Sequence, residues 1–510
     1  MRKLSQIKTG IVLSYVQMII EYAVSFAYTP IMLSILGRSE YGNYNYIASV
    51  VGYLSLFSCG FGSAYIRFFA RTAVKGGDRE KNIANLNGMF MLIFLTMGIL
   101  ALITGLVMSL FSNRIFGGQL SSDELKTAHT LMIIMIINLF ISFPASVFNS
   151  YIITQEKFIF QKLLATLQTL LKPVVILPLL YMGFHSIGLS VGTLIISVLI
   201  FLINASFCIF KCKMRFEFKN LDFALIKEVA VFSSFLLISM VVDQINWNVD
   251  KFVLGKMSGT VAVAVYSVAA TLNSYYKSIS EYISNVFVPR VNRMIANNEH
   301  NGALLHLIIK LGRIQFFVLS LIATGFIFFG KAFINLWIGS AYADSYYITL
   351  FLMIPVTIPE IQKICIEVLK AKNLHKFRSV LYMFIAIANV FISIWLCKLY
   401  GAIGCAAGTA ITVLIGNGII INIYYYKKAE IDIPKFWTSI LVQIKGIILP
   451  VIFGIVLTNV FEITSWLHFI LVGMLYVVVY ACSVWLFAMN DEEKKLINGI
   501  VAPAVGIFRR

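Results

Sequence analysis

Apolar runs of about 20 residues recur from one end of this chain to the other, and no other feature constrains its fold as tightly. A run of that length crosses the roughly 30 Å hydrocarbon core of a bilayer as one helix. Lipid offers no partner to a backbone N–H or C=O, so a crossing segment must satisfy its own hydrogen bonds, and a helix does so. Of the 510 residues 59% are hydrophobic and 13% charged, about half the charged share of a soluble domain. The mean hydropathy is +0.87. The chain therefore reads as an all-α integral membrane protein with about fourteen transmembrane helices. Their limits are 10–36, 43–69, 86–111, 128–152, 160–182, 187–210, 229–254, 260–288, 309–329, 346–369, 379–399, 402–426, 441–460 and 467–489. The basic start, "MRKLSQIK", runs into apolar sequence without a small-residue cleavage site, as an uncleaved anchor does.

A net charge of +18 raises the question of nucleic acid, and its distribution answers it. With the N-terminus inside, the inside segments and the helix ends that adjoin them hold 30 of the 41 Lys and Arg. The outside loops hold six (Arg38, Arg114, Lys126, Lys256, Lys331 and Lys398), and five lie within spans. This bias is the positive-inside rule, and it places both termini in the cytoplasm. Anionic membrane lipid is then partner enough for the basic charge, and no nucleic acid is expected.

The chain also repeats itself. "GFHSIGLSVGTLIISVLIFLINASF" from Gly183 and "YGAIGCAAGTAITVLIGNGIIINIY" from Tyr400 share IGxxxGT at an offset of 216 residues. "ILGRSEYGNYNYIASV" from Ile35 resembles "VLGKMSGTVAVAVYSV" from Val253, and "TQEKFIFQKLL" from Thr154 answers "AKNLHKFRSVL" from Ala371, at nearly the same offset. The matches define an N-terminal six-helix lobe, 1–210, and a C-terminal one, 229–427, joined by a cytoplasmic linker at 211–228. Six is even, so both lobes enter the membrane in the same direction, a parallel duplication. Two additional helices at 441–489 and a cytoplasmic tail at 490–510 fall outside the repeat. Gly188 with Gly192, and Gly404 with Gly408, are spaced for close helix packing.

Enzymatic readings fare poorly. The longest outside loops, 112–127 and 330–345, leave no room for a catalytic domain. The seven cysteines form no CxxC pair and the six histidines no HExxH, so no metal site and no cofactor is expected. No GxxxxGK[ST] loop is present to bind ATP.

What remains is charge at membrane depth, which costs roughly 2.5–3.5 kcal/mol per group and usually faces a cavity or a partner. The cations are Arg67, Lys172, Lys251, Lys277 and Lys363; the carboxylates are Glu21, Asp243, Asp250, Glu281, Glu360 and Glu367. In "DQINWNVDKFVLGK", Asp243, Trp247 and Asp250 share one helix face within about 60°, and Gln244, Asn246, Asn248 and Lys251 widen the polar arc to about 200°. Asn273, Lys277, Glu281, Ser284 and Asn285 form a second stripe, and Glu360, Lys363, Glu367 and Lys370 a third. Lys277 with Glu281, and Lys363 with Glu367, are spaced to neutralise one another. Lys172 adjoins Pro173, which with Pro178 predicts a bend. Arg67 and Lys251 lie near the membrane edges, where snorkelling accounts for them equally well. Trp247 is as well suited to packing as to stacking on a sugar. Taken together, the two lobes and their buried charges suggest alternating access around a wet interior. Cations there favour an anionic cargo, and the carboxylates offer sites for H⁺ or Na⁺ coupling.

"LGRSEYGNYNYIASVVGYLSLFSCGFGSAYIRFFAR" from Leu36 and "DKFVLGKMSGTVAVAVYSVAATL" from Asp250 resemble the polysaccharide repeat-unit (Wzx-type) flippases of the multidrug/oligosaccharidyl-lipid/polysaccharide (MOP) superfamily. Gly37, Tyr41, Gly42, Gly60, Gly62 and Arg67 stand in the family's places. The resemblance implies a MATE-like fold and translocation of undecaprenyl-pyrophosphate-linked oligosaccharide across the bacterial cytoplasmic membrane, coupled to an ion gradient. It also implies a role beside polysaccharide polymerase machinery in making O-antigen, capsule or exopolysaccharide. The resemblance carries over only the general idea of cations at the lobe interface; the candidate cargo residues, Lys172, Lys277, Lys363, Arg67, Lys251 and Trp247, come from this sequence's own spacing. The competing readings are a lipid II-type flippase, which looks richer in arginine in its first spans, a multidrug or cation antiporter, which wants a more acidic and aromatic cavity, and a membrane polysaccharide polymerase, which wants a large outside loop.

Overall fold

The computed structural model describes residues 2–74, 78–118, 120–218, 223–297, 299, 301–372, 374–495 and 498. Within these, the side chains of 2–12, 74, 223, 235, 238, 239, 243, 246, 247, 301, 375 and 376 lie outside the described set. Every regular element among the described residues is helical, and none is a strand. The chain divides into two compact units, Met1–Ser267 and Val268–Arg510.

The first unit holds α1 (Arg2–Leu54), α2 (Phe61–Val74), α3 (Arg79–Leu110), the short α4 (Ser112–Phe116), α5 (Ser122–Thr154), α6 (Phe158–Tyr181), α7 (His185–Ser206) and α8 (Phe223–Ser258), together with the start of α9 (Thr260–Asn285). Its core is aromatic: Phe61, Tyr65, Phe68, Phe90, Phe94 and Phe143 are buried together. The Tyr65 hydroxyl donates to Asn87 Oδ1 at 2.6 Å, and the Asn87 amide donates to the Arg215 carbonyl at 2.9 Å. The irregular segment after α7 is thereby docked on α3, where a Cβ on Gly88 would lie 2.0 Å from the Glu217 carbonyl oxygen.

The motif that carried the family resemblance is a structural corner. Gly37 bends α1 at φ 72 and ψ 173, a conformation that side chains disfavour. Beyond the bend α1 lies against α8 and the first residue of α9 at glycine distances. A Cβ on Gly255 would sit 2.3 Å from the Tyr46 ring, and one on Gly42 would sit 1.8 Å from the Thr260 carbonyl oxygen. Glu124 ties the corner together: its side chain accepts from Ser39 and, at 2.8 Å, from Thr260, and its own carbonyl accepts from Asn43 at 3.0 Å. Gly42→Ala is therefore expected to cost about 1–3 kcal/mol by overpacking, read as a lower unfolding midpoint in detergent. An unchanged midpoint would mean that the approach is slack.

The repeat restarts at 229, whereas packing keeps α8 with α1 and divides the chain within α9. The two boundaries record different things, duplication in one case and contact in the other.

The second unit continues α9 and adds α10 (Val288–Ala296), α11 (Asn301–Ile338), α12 (Ser345–Ile361), α13 (Lys363–Ala371), α14 (His375–Val413), α15 (Ile421–Lys427), α16 (Ile433–Leu441), α17 (Lys445–Val460) and α18 (Trp466–Phe487). Ile308, Leu311, Ile364, Val368, Leu369 and Phe436 centre its core. The glycine pairs pack as their spacing expects. A Cβ on Gly404 would lie 2.1 Å from the Leu396 carbonyl oxygen, and one on Gly408 2.9 Å from the Ser393 backbone; in the first unit one on Gly192 would lie 2.7 Å from Ile176. The two helices outside the repeat are bound into this unit by a buried ion pair. Arg313 on α11 donates through Nε at 2.6 Å and a second nitrogen at 2.8 Å to the Glu493 carboxylate, and also to the carbonyls of Ser439 and Ala488.

Among the described residues, nine helices are long and apolar enough to cross a membrane, or ten if the bent pair α12 and α13 is one span, against the fourteen read from sequence. The chain is a multi-pass membrane protein. Part of the difference is mergers: Leu13–Ala73 and Phe377–Lys427 run for 61 and 51 residues, well beyond what one crossing needs. Each is broken at a glycine of positive φ, Gly37 and Gly401 respectively. Neither α8, with several side chains outside the described set, nor α9, whose Asn273, Lys277 and Glu281 lower its hydropathy, is among the nine.

Candidate functional site

The charged residues of the second unit converge where α12 breaks. Pro355 and Pro359 sit inside α12, and the helix ends at Ile361. Each proline deletes a backbone donor and crowds the preceding turn, so the helix is weakest there. α13 starts at Lys363 after a bend of 43°. Gln362, at the bend, is buried and donates to Asn422 Oδ1 at 2.6 Å, which also accepts from Trp437 Nε1 at 3.0 Å. The bend is thus held by side chains on α15 and α16.

Across the bend, Lys363 Nζ lies 3.2 Å from Glu360 Oε2 and 3.9 Å from Glu281 Oε2 of α9. Glu360 is only 6% exposed. Its backbone carbonyl accepts from the Ser280 hydroxyl at 2.8 Å, and Gln315 of α11 donates to Ser280 and Ser284 at 3.0 and 2.7 Å. One turn below Glu281 on α9 is the half-buried Lys277. Two cations and two carboxylates therefore lie around one bend, close to electrical balance.

The expected Lys363–Glu367 pair does not form as spaced. Lys363 turns to Glu360 and Glu281, and Glu367 is taken by Lys370 at 2.7 Å. Both pairs that form, Glu360 with Lys363 across the bend and Glu367 with Lys370 within α13, place the acid N-terminal to the base, the favoured sense, whereas Lys363 to Glu367 runs the other way.

In the first unit the polar stretch of α8 is partly used up in packing. Gln244 donates to the Ser55 hydroxyl at 2.8 Å and accepts from Asn248. Asp250 is 2% exposed and accepts from the Tyr266 hydroxyl. Lys251 is half-buried beside it. The side chains of Asp243, Asn246 and Trp247 lie outside the described residues. The Arg67 guanidinium stacks 4.4 Å over the Phe232 ring, and Arg71 pairs with Glu228 at 2.8 Å. Lys172 is exposed on α6, and Glu21 is half-buried on α1. Among the described residues no group of three or more His, Cys, Asp or Glu could hold a metal ion.

The stripes foretold which residues lie near the bend, but not how they pair. Arg313 and Glu493 were not singled out, since each reads as an ordinary charge beside a cytoplasmic loop. A signal for the bend was present in the two prolines of "IPVTIPEIQK".

Comparison with known proteins bears on what such a helical frame belongs to. The sequence model of the family described as "Polysaccharide biosynthesis protein" matches residues 7–295. The uncharacterized membrane protein EpsK of Bacillus subtilis (strain 168) is 21% identical over 488 residues, covering 92% of this chain and 93% of its own. Among solved structures, the lipid II flippase MurJ in an inward closed conformation superposes with a TM-score of 0.69 at 18% identity, over 93% of this chain and 98% of that one. An inward-facing multidrug resistance MATE transporter of the MOP superfamily gives 0.68 at 15% identity, over 84% and 99%. The fold is that of these transporters.

Proposed function

Because the chain belongs to the polysaccharide biosynthesis protein family, we propose that it is a flippase carrying undecaprenyl-pyrophosphate-linked oligosaccharide from the inner to the outer leaflet of the bacterial cytoplasmic membrane. It crosses that membrane fourteen times with both termini in the cytoplasm, and it works by alternating access. The observation that carries the reading is Lys363, a cation shared between a buried and an exposed carboxylate at the break between α12 and α13.

An ammonium so placed can be released. While Glu360 and Glu281 are ionised they compete with any anion for Lys363. A proton, or Na⁺, arriving at Glu360 removes one competitor, and Lys363 with Lys277 can then donate charge-assisted hydrogen bonds to a pyrophosphate. Departure of the anion restores the ion pair and expels the coupling ion. Lys172, Arg67, Lys251 and Trp247 remain further candidates for cargo contact, and Glu21, Asp243, Asp250 and Glu367 for ion coupling. No cofactor enters this scheme.

Coupling is tested in sealed proteoliposomes under an imposed pH or Na⁺ gradient. Wild-type translocation should change with the gradient, Glu360→Gln should lose that dependence, and Asp243→Asn and Glu21→Gln test the two further candidates. If those two keep the wild-type response, the coupling ion does not use them.

A further inference from the structure

A second feature, in the first unit, carries no charge at all. A cavity of about 400 Å³ opens among α5, α6 and α7, within the size range of small-molecule sites. Four amide side chains line it: Asn149, Gln161, Gln168 and Asn204. None of the four makes a side-chain hydrogen bond to another described residue. By contrast, the hydroxyls of Ser142 and Ser146, which also line it, donate back to their own helix at 2.6 and 2.8 Å.

Polar groups set between membrane helices without protein partners are costly unless something else pairs with them. An amide offers both donors and an acceptor, and a sugar hydroxyl or acetamido group offers the same in return. With no lysine, arginine or carboxylate in the lining, the site would not discriminate by charge. Gln161, Gln168 and Lys172 fall within about 40° on one face of α6, with Lys172 about 6 Å beyond Gln168. A cation thus follows the neutral cavity along the helix, the order in which a sugar and the phosphate joined to it would be met.

We propose that this cavity docks an uncharged, hydroxyl- and acetamido-bearing sugar of the lipid-linked cargo on the amides of Asn149, Gln161, Gln168 and Asn204. The inference rests on the flippase reading and adds a subsite to it.

The test is equilibrium binding to the full-length protein in nanodiscs, using two probes. One is undecaprenyl pyrophosphate; the other is the same lipid bearing a neutral oligosaccharide that contains N-acetylhexosamine. Wild type should bind the glycosylated lipid more tightly. The Gln161→Met, Gln168→Met double variant should lose about tenfold in affinity for it, from two neutral hydrogen bonds, and nothing for the bare lipid. Its unfolding midpoint should not fall, because these amides hold nothing in the protein. Asn149→Leu should act in the same direction and serves if the double variant does not fold. Equal losses on both lipids, or no loss on the glycosylated one, overturn the subsite. If wild type binds the two lipids equally, the subsite fails while the flippase reading survives. If wild type binds neither, both fail.

Discussion

Lys363→Gln is expected to abolish translocation while leaving the protein inserted and folded, and Lys277→Gln to weaken it in the same sense. Each removes a charge-assisted bond to a pyrophosphate, worth about 1.5–3 kcal/mol, or roughly 10–100-fold in affinity. The variant also strands Glu360, whose buried carboxylate lies 3.2 Å from the Lys363 ammonium. The double variant Glu360→Gln, Lys363→Gln separates the two effects: it should recover stability without recovering transport. Glu360→Gln alone should keep cargo binding, because it frees Lys363, and lose the response to an imposed gradient. Transport unchanged in both Lys363→Gln and Lys277→Gln would remove these lysines from the site.

The second large effect is structural. Glu493→Ala should destabilise the second unit by about 3–5 kcal/mol, because it leaves the Arg313 guanidinium buried and unpaired. The two-pronged contact at 2.6 and 2.8 Å is what fastens α11 to the segment after α18. Replacing both partners, in Arg313→Leu, Glu493→Leu, should cost less than Glu493→Ala, since no charge is then stranded. The comparison is read from unfolding midpoints in detergent. A Glu493→Ala variant as stable as wild type would mean that the pair is solvated in the native protein.

How much of this was legible in the sequence follows from what each signal measures. Apolar run length reports directly on crossing a bilayer, so the all-helical membrane frame was readable, and so was the close packing at Gly192, Gly404 and Gly408. Gly37 and Gly401, both of positive φ, break the long helical stretches Leu13–Ala73 and Phe377–Lys427, and polar residues in α9 lower its hydropathy, so among the described residues fewer continuous apolar helices than spans are counted. Helical periodicity placed Glu281, Glu360 and Lys363 on facing stripes. It carried no information on the bend at Gln362, across which Lys363 meets Glu360 and Glu281. In α8 periodicity overstated the wet face, for Gln244, Asn248 and Asp250 are bonded to side chains of their own unit. The amide cavity was invisible for a different reason. Asparagine and glutamine carry no charge, and single amides seven to 36 residues apart leave no mark on a hydropathy or charge count.

The proposed flippase moves a lipid-linked oligosaccharide between leaflets. The most direct measurement is the sidedness of labelled undecaprenyl-pyrophosphate oligosaccharide in sealed vesicles with and without this protein, with a cationic dye as the competing cargo. Transfer of the sugar to the opposite face is expected only where the protein is present, lost in Lys363→Gln, with the dye retained. Sugar that stays in place while the dye is expelled would contradict the flippase reading and make the protein an antiporter.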